Sequence, residues 1–319
     1  MQYQIKGNII PKFAIGTWAW GAGINGNKMI FGASADEFEL KKAFDTAYNN
    51  GFILWDTAAV YGMGNAEKIL GKFAANKNII LSDKYTPKKK FNAKDIEQTL
   101  NQSIERVGIV PDIYWLHLPI NIEENLTYMC SLLSAGKIGS IGVSNFNLDQ
   151  VKKAEKILER YGFKLAGMQN HYSLIFRKYE TENMLSYCNE KNIPFFSYMV
   201  LEQGALTGRF NSKHGFPIFS RRGIAFPKHK LKKLEPLFEA LKQIGEKYGL
   251  TIAETVLTWA ISKGTIPIVG VTKEYQAISL TKLNDIILKP NEIDMLEKSA
   301  KSTEVEVKAS WEQKNPQVN

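Results

Sequence analysis

Residues 38–56 read FELKKAFDTAYNNGFILWD, a helical pattern followed directly by a strand pattern. The apolar residues of the first part recur at the spacing of one helix face, at Leu40, Ala43, Phe44 and Ala47. The second part closes with a short apolar run over 53–56, which is typical of a buried strand. A helix that leads into a buried strand is the repeating part of a parallel βαβ unit.

The same alternation of short apolar runs and helical stretches continues along the chain without a linker. Eight runs are predicted as strands, at residues 13–17, 53–56, 78–84, 113–117, 138–144, 165–170, 195–198 and 266–270. This count predicts an α/β fold, a single (β/α)8 TIM barrel, because a doubly wound sheet usually has fewer such units. We therefore expect residues 1–319 to form one barrel domain, in which 301–319 are a mobile polar tail.

The composition supplies a large core and excludes several other classes of protein. A folded chain of 319 residues is expected to bury roughly 75% of the surface that its unfolded form exposes, and 44% hydrophobic with 11% aromatic residues supply the material for that core. The apolar runs are far shorter than the roughly 18 residues of a membrane span. The start, MQYQIKGNIIPKF, has Lys6, Asn8, Pro11 and Lys12 where a signal peptide would be apolar. We expect a cytoplasmic protein with no membrane partner.

The net charge is +9, from 41 Lys and Arg against 32 Asp and Glu, and this suits an anionic partner. The basic residues cluster at 88–90, after a proline in a turn, and at 228–233, where they flank an amphipathic helix. Such runs are usually solvated faces, and no nucleic-acid-binding module accompanies them. We therefore predict no nucleic-acid partner and favour a small phosphorylated ligand.

Cysteine and histidine indicate neither a disulfide framework nor a metal centre. Cys130 and Cys188 lack the spacing of a zinc site and are predicted as small core residues. Of the four histidines, only His117 and His171 lie near predicted strand ends. A metal-dependent barrel hydrolase would therefore be poorly supplied with ligands, and we predict no metal site.

The string Gly21-Ala-Gly23-Ile-Asn-Gly26 has the G-x-G-x-x-G spacing of a dinucleotide-binding Rossmann domain. That motif needs a helix that opens at its third glycine, so that a pyrophosphate can bind at the helix N-terminus. Here the next helix pattern begins only near Asp36. The acidic ribose partner expected about 20 residues on is also missing, because that region is mid-helix. We interpret the glycines as a flexible loop.

The chemistry of a (β/α)8 barrel lies at the carboxyl ends of its strands, so the residues there are the candidates for a site. They are polar at most strand ends: Asp56 with Tyr61 in the following loop, Lys84, His117, Ser144 with Asn145, Gln169 and Tyr198. Each one alone is an ordinary polar residue at a strand end. A carboxylate, an amine, an imidazole and a phenol on one rim, however, form an acid–base set that can shift pKa values.

These residues resemble the aldo-keto reductase family. GFILWDTAAVYG at 51–62 is similar to the first family signature and places Asp56 and Tyr61 at catalytic positions. Lys84 in LSDKY and His117 in DIYWLH are similar to the other two members of the catalytic tetrad. GKIGSIGVSNF at 136–146 matches the signature around the fifth strand. The resemblance spans most of the chain.

The resemblance implies an NADPH-dependent oxidoreductase that reduces a small-molecule carbonyl, an aldehyde or ketone, to an alcohol by hydride transfer. The oxygen that becomes alkoxide-like must be protonated, and Tyr61 is the implied donor. A nearby Lys84 ammonium is expected to lower the pKa of the Tyr61 phenol, while Asp56 holds Lys84 and His117 aims the carbonyl. The alternative is a nonenzymatic regulator that uses the same fold to sense the redox state of NADP(H).

The resemblance also implies a row of cofactor-binding residues, with NADP(H) preferred and NAD(H) possible. Ser144, Asn145 and Gln169 would hold the nicotinamide carboxamide, and the Tyr198 ring would stack on the nicotinamide. The pyrophosphate segment comprises Leu201, Gly204, Leu206, Gly208 and Arg209. The adenosine-phosphate segment comprises Gly270, Thr272, Lys273 and Gln276. Four aromatic residues are the candidates for an apolar substrate pocket: Trp18, Trp20, Trp115 and Phe146.

Overall fold

A closed barrel of eight parallel strands forms the centre of the computed structural model, which describes residues 3–5, 7–22, 36–217 and 219–307. A short antiparallel hairpin, β1 (Gln4–Ile5) and β2 (Asn8–Ile9), precedes it. The barrel strands are β3 (Ala14–Gly16), β4 (Leu54–Asp56), β5 (Ile80–Tyr85), β6 (Ile113–Leu116), β7 (Ile141–Ser144), β8 (Leu165–His171), β9 (Phe195–Tyr198) and β10 (Ile266–Gly270). Each pairs with the next along the chain, and β10 closes on β3 with Val269 opposite Ile15. The predicted (β/α)8 barrel is confirmed.

Helices connect and cover the strands. They are α1 (Glu37–Asn49), α2 (Asn65–Ala74), α3 (Ala93–Val107), α4 (Ile122–Ser134), α5 (Leu148–Glu159), α6 (Lys178–Thr181), α7 (Met184–Glu190), α8 (Arg221–Ala225), α9 (Lys228–Tyr248), α10 (Ile252–Ser262), α11 (Glu274–Thr281) and α12 (Pro290–Ser302). Two 3-10 helices lie at Tyr61–Gly64 and Glu202–Thr207. Residues 38–56 fold as predicted, since the apolar face of α1 is buried in the core and the strand β4 follows it.

The start of α1 agrees with the expectation that a helix begins near Asp36. The Asp36 side chain accepts a hydrogen bond from the backbone N–H of Phe38 at 3.1 Å, as an N-cap residue does. Gly23 and Gly26, the second and third glycines of the Rossmann-like string, lie outside the described residues.

Four predicted strand starts differ from the structure, by one residue at β3 and β4 and by more at β5 and β7. Strand β5 begins at Ile80 instead of residue 78, and β7 begins at Ile141 instead of residue 138. Ile138 is only 2% exposed although it makes no ladder pair. An apolar run reports burial and not hydrogen-bonded pairing, so the run over 138–144 is longer than the strand it contains.

The amino end of the barrel is closed by apolar side chains. Ile5, in β1, and Ile10, directly after β2, pack against the first residues of the barrel strands, including Ile80 and Ile266. The hairpin was not predicted, because strands of two residues carry no periodic signal. The amino end is therefore apolar, and the buried polar residues such as Asp56 and Lys84 lie at the carboxyl ends of the strands.

The long stretch after β9 and the chain end complete the fold. The stretch from 199 to 230, which has little apolar periodicity in the sequence, contains the 3-10 helix Glu202–Thr207 and the short helix α8.

At the C-terminal end of the chain, Lys301 belongs to α12, while residues 308–319 lie outside the described part, so the expected mobile tail stays a prediction. Within the described ranges no helix is both long and apolar enough to span a membrane.

Candidate active site

A buried ion pair joins β4 and β5 at the carboxyl rim. The register places Ser82 opposite Asp56, and Lys84 lies two residues further along the same face of β5. Lys84 Nζ is 2.5 Å from Asp56 Oδ2 and also donates to the backbone oxygen of Thr57 at 2.6 Å. Ser82 Oγ donates to the other carboxylate oxygen at 2.7 Å. Both charges are almost fully buried, so each depends on the other for compensation.

Tyr61 reaches the same place from the 3-10 turn after β4. The chain reverses at Gly62, whose φ is +56° and whose missing side chain admits the backbone of Ala22; a Cβ there would lie 2.7 Å from the Ala22 oxygen. Lys84 Nζ lies 5.2 Å from the centre of the Tyr61 ring. The Tyr61 ring also stacks with Trp18 at 6.0 Å between ring centres. Tyr61 is half-buried and Lys84 lies beneath its ring.

Three effects act on the pKa of Tyr61: burial, the Lys84 ammonium and the Asp56 carboxylate. Burial raises the pKa of the Tyr61 phenol, the Lys84 ammonium lowers it, and the Asp56 carboxylate raises it. The net direction is upward, so the expected lowering by Lys84 is present as a contribution but is outweighed by burial. For Lys84 itself, burial disfavours the charge, but Asp56 and Tyr61 raise its pKa above the ordinary value. Lys84 therefore stays an ammonium at neutral pH.

His117 follows β6 directly and is held from two directions. Its backbone oxygen accepts from Asn145 Nδ2 at 2.9 Å, and its Nδ1 lies 2.8 Å from Thr86 Oγ1. Burial, together with the positive charge of Lys84, lowers the pKa of His117 to about 3. The imidazole is therefore neutral at physiological pH, with one donor and one acceptor nitrogen.

The predicted carboxamide ligands form one hydrogen-bonded row beside the ion pair. Asn145 has a left-handed backbone, with φ of +64°, and its Nδ2 lies 3.1 Å from Ser144 Oγ. Tyr198 donates its hydroxyl to Asn145 Oδ1 at 2.5 Å. Gln169 Nε2 donates to Asp56 Oδ1 at 3.0 Å. Two hydrogen bonds thus connect these residues to the candidate catalytic residues. Gln169 bonds to the Asp56 carboxylate, and Asn145 bonds to the backbone oxygen of His117.

The predicted pyrophosphate segment runs through the 3-10 helix after β9. Gly204 and Gly208 both have positive φ, +101° and +73°, so the turns depend on glycine. Arg209 is exposed, whereas Leu206 is fully buried in the core. Leu201 is half-buried at the start of the segment. The side chain of Leu206 therefore packs inward, and its backbone is the part that can face a ligand.

The predicted adenosine-phosphate residues meet at the N-terminus of α11. Gln276 Oε1 accepts from the backbone N–H groups of Thr272 and Lys273 at 2.8 and 3.0 Å. Lys273 Nζ lies 3.5 Å from a carboxylate oxygen of Glu39 in α1. Gly270 is exposed, and a Cβ there would meet nothing within 4 Å. The exposed Lys273 ammonium and the N-terminus of α11 are the groups here that could hold a phosphate.

The four aromatic candidates for a substrate pocket divide into two groups. Trp18 is half-buried and stacks on Tyr61, so it lies at the site. Trp20 is buried and donates its indole N–H to the backbone oxygen of Val271 at 2.7 Å. Trp115 and Phe146 are fully buried. Their burial favours packing over substrate contact for these three.

Sequence reasoning missed Ser82 and Thr86. They lie two residues before and two residues after Lys84, and both contact a candidate catalytic side chain. Side chains two apart on a strand share a face, so the period of two along β5 was the signal that could have found them. Ser82 also accepts the indole N–H of Trp115 at 2.7 Å, which links this tryptophan to Asp56 indirectly.

Asp56, Lys84 and Tyr61 thus lie together at the carboxyl rim of a (β/α)8 barrel, and a neutral His117 follows the neighbouring strand β6. The model of the aldo/keto reductase family matches residues 12–301. The chain therefore belongs to the aldo/keto reductase family, as the sequence motifs predicted.

Two curated relatives match over most of both chains. The chain is 29% identical over 284 residues to the chloroplastic pyridoxal reductase of Arabidopsis thaliana, which covers 82% of this chain and 75% of the relative. It is 28% identical over 294 residues to the aldo-keto reductase YhdN of Bacillus subtilis, with coverage of 85% and 84%.

Two solved structures share the fold. Glycerol dehydrogenase AKR11B4 from Gluconobacter oxydans matches with a TM-score of 0.80 at 22% identity, over 97% of this chain and 98% of that one. An aldo/keto reductase from Klebsiella pneumoniae in complex with NADP and acetate matches with a TM-score of 0.70 at 22% identity, over 93% and 94%.

Proposed function

We propose that this protein is an NADPH-dependent oxidoreductase that reduces the carbonyl group of an aldehyde or ketone to an alcohol, with Tyr61 as the proton donor. The observation that carries the proposal is the buried Lys84–Asp56 pair beneath the half-buried Tyr61 ring. A buried ammonium next to a phenol has a chemical use when the phenol gives up its proton, because the phenolate then has a partner.

Tyr61 and Lys84 have complementary parts in this reaction. The raised pKa of Tyr61 keeps the phenol protonated at neutral pH, so the donor is loaded before the substrate arrives. As the carbonyl carbon accepts a hydride, its oxygen gains negative charge and takes the phenolic proton. The Lys84 ammonium then stabilises the phenolate left behind, and Asp56 keeps that ammonium charged and in place.

His117 orients the substrate in this proposal. A neutral imidazole can donate one hydrogen bond to the carbonyl oxygen without competing with Tyr61 as an acid. When the Thr86 hydroxyl donates to Nδ1, the ring proton is on the opposite nitrogen and is available to the substrate. Thr86 is therefore proposed to select the tautomer of His117.

The side chains at the rim fit a nicotinamide dinucleotide. When bound, such a cofactor supplies the hydride. Hydroxyl and amide groups suited to a carboxamide lie at one side of the row, at Ser144, Asn145 and Gln169. Tyr198 presents an aromatic ring next to them. Cations suited to phosphates lie further along, at Arg209 and Lys273, and this supports NADP(H) as the preferred form with NAD(H) possible.

The test is turnover of NADPH with a reactive aldehyde by the purified protein. We expect many equivalents of NADPH to be oxidised, and Tyr61→Phe to lower the rate by about 10² to 10⁴ while NADPH still binds, since general acid catalysis contributes about that much. Tyr128→Phe is the matched control, because Tyr128 lies on α4, away from the carboxyl rim, and its hydroxyl donates to Glu97 at 3.2 Å. A wild-type protein that stops after one slow turnover would instead support the redox-sensing alternative.

The range of relatives directs the choice of carbonyl compounds for that assay. One relative is named a pyridoxal reductase and one similar fold a glycerol dehydrogenase. Pyridoxal and a small hydroxylated carbonyl are therefore the first two substrates to compare. The ranking of their kcat/KM values assigns the substrate class, since specificity is a ratio of these values.

A further inference from the structure

A second cluster of buried polar side chains lies at the carboxyl end of β8, beside the candidate catalytic residues. Glu202 Oε1 is 2.7 Å from Nε2 of His171, the last residue of β8, and accepts from Ser173 Oγ at 2.5 Å. Glu202 and His171 are at most 1% exposed. None of the three has a part in the proposed proton transfer. The cluster joins β8 to the first residue of the 3-10 helix Glu202–Thr207.

The backbone at this junction is in a conformation that needs support. Met199, Glu202 and Gln203 have φ values of +57°, +47° and +55°, in the left-handed region that side-chain-bearing residues seldom adopt. Such conformations persist where surrounding contacts hold them. The hydrogen bonds of Glu202 to His171 and Ser173 are contacts of this kind, because they attach the strained segment to the end of a barrel strand.

The same cluster contacts Tyr198, the residue proposed to stack on the nicotinamide ring. The His171 ring stacks against the Tyr198 ring at 5.6 Å between ring centres, with 19° between the planes. It also stacks against the Phe176 ring at 4.1 Å between ring centres, with 6° between the planes. His171 is therefore held by two stacked aromatic rings, and its contact with Glu202 connects the Tyr198 ring to the segment that contains Gly204 and Arg209.

Two buried polar atoms of this cluster lower the stability of the fold. His171 Nδ1 and Glu202 Oε2 are buried and have no hydrogen-bond partner among the described residues. An unpaired buried polar atom lowers stability, and an apolar pair of similar size would avoid the loss. The cluster is therefore a poor way to fill this space for stability alone, which favours a role in placing the segment it holds.

We propose that Glu202 is a positioning residue: by bonding to His171 and Ser173 it fixes the cofactor segment, residues 201–209, and the Tyr198 ring in the arrangement that binds the nicotinamide cofactor. This inference rests on the proposed function. Because Glu202 touches none of the proposed reacting groups, its loss should change cofactor affinity much more than the chemical step.

The experiment compares Glu202→Ala, Glu202→Gln and Ser173→Ala in the full chain. NADPH affinity is measured by quenching of tryptophan fluorescence, and kcat and cofactor KM by NADPH oxidation with a reactive aldehyde. We expect Glu202→Ala to raise Kd and KM for NADPH about tenfold or more while kcat changes less than about threefold. Glu202→Gln should recover most of the affinity, because its amide oxygen can accept the same hydrogen bonds. Ser173→Ala should raise Kd about threefold.

The control is Glu292→Ala, which removes another buried glutamate, one bonded to Tyr248 at 2.6 Å in the outer helices α12 and α9. It should lower the melting temperature and leave the Kd of NADPH unchanged. The inference is overturned if Glu202→Ala folds and binds NADPH as tightly as wild type. If Glu202→Ala does not fold, an unchanged Kd for Ser173→Ala overturns it. Wild-type protein that binds neither NADPH nor NADH would instead remove the proposed function.

Discussion

The two ends of the barrel are built from the same eight strands but have opposite chemistry. At the amino end, residues that begin barrel strands, such as Ile80 and Ile266, form an apolar plug together with Ile5 and Ile10 at the β1–β2 hairpin. At the carboxyl end of the same sheet, Lys84 and Asp56 form a buried ion pair. The apolar end contributes hydrophobic stability, and the polar end accepts the cost of buried charge. Changes at the two ends should therefore separate stability from activity.

The largest expected effect is at the polar end, from Lys84→Met. The variant loses the partner of the phenolate, so the rate of aldehyde reduction should fall by about 10²-fold or more. Without the ammonium, the pKa of Tyr61 rises further, because Asp56 still raises it. Alcohol oxidation needs the phenolate as a base, so its rise with pH should move to higher pH. Stopped-flow rates across pH measure both.

Lys84→Met also leaves Asp56 buried without its partner, so NADPH binding must first show that the rim is folded. A folded variant that binds NADPH and keeps the wild-type pH profile would remove Lys84 from the mechanism.

A change at the apolar end should lower stability and leave activity nearly unchanged. Ile266→Ala deletes buried methyl groups from the plug and should lower the free energy of unfolding by about 2–5 kcal/mol, as cavity-forming substitutions do. Urea titration measures the loss, and kcat of the remaining folded protein should stay near wild type. Ile278→Ala is the control, since Ile278 is about half exposed on α11. A large fall in kcat for Ile266→Ala would show that the two ends are not independent.

The third prediction uses the pKa of His117, which is lowered to about 3 in the folded chain against an ordinary value near 6.5. Between these values the unfolded chain binds a proton that the folded chain does not, so stability falls as pH decreases, by about 1.4 kcal/mol per pH unit. We expect His117→Gln to remove this part of the slope between pH 6 and pH 4. Urea unfolding of both proteins at several pH values gives the difference.

Taking the difference between the two proteins cancels other groups that titrate in this range, including Asp83, whose pKa burial raises well above the ordinary value. Parallel stability curves for wild type and His117→Gln would contradict a neutral buried imidazole at this position.

The smallest expected effect is at the edge of the rim, at Lys273. Its exposed ammonium can bind the 2′-phosphate of NADPH, which NADH lacks, so Lys273→Ala should weaken NADPH about tenfold and NADH less than about twofold. Fluorescence titration with both cofactors measures the ratio. Lys282→Ala, at the other end of α11, should leave the ratio unchanged. Equal losses for both cofactors would show that the adenosine-phosphate assignment is wrong.

Most of the fold was predictable from local pattern. Strands β9 and β10 have the predicted bounds, and the helix over α1 begins after the expected residue Asp36. Periodicity of apolar residues depends on burial of one face, and each element repeats that signal within a few residues. The β1–β2 hairpin lay beyond this method because each of its strands is two residues long.

The residues of the candidate site were named from the sequence, but their electrostatic balance was not. Tyr61, Lys84, Asp56 and His117 follow from strand ends and spacing, and the barrel brings Tyr61, Lys84 and Asp56 together. Whether the pKa of Tyr61 moves up or down depends on burial and on two opposite charges at once. Only the folded arrangement sets the relative size of these effects, because burial and distance are properties of the packed chain.

The sequence by itself therefore determined the alternation of strands and helices, the closed barrel and the residue types at its rim. Tertiary structure alone decided that Thr86 lies against His117, that three predicted pocket aromatics are buried, and that Glu202 meets His171 across 31 residues of chain. The physical reason is the range of the interactions. A hydrophobic period is read within one element, whereas a hydrogen bond between two separate segments of the chain exists only once the barrel has brought them together.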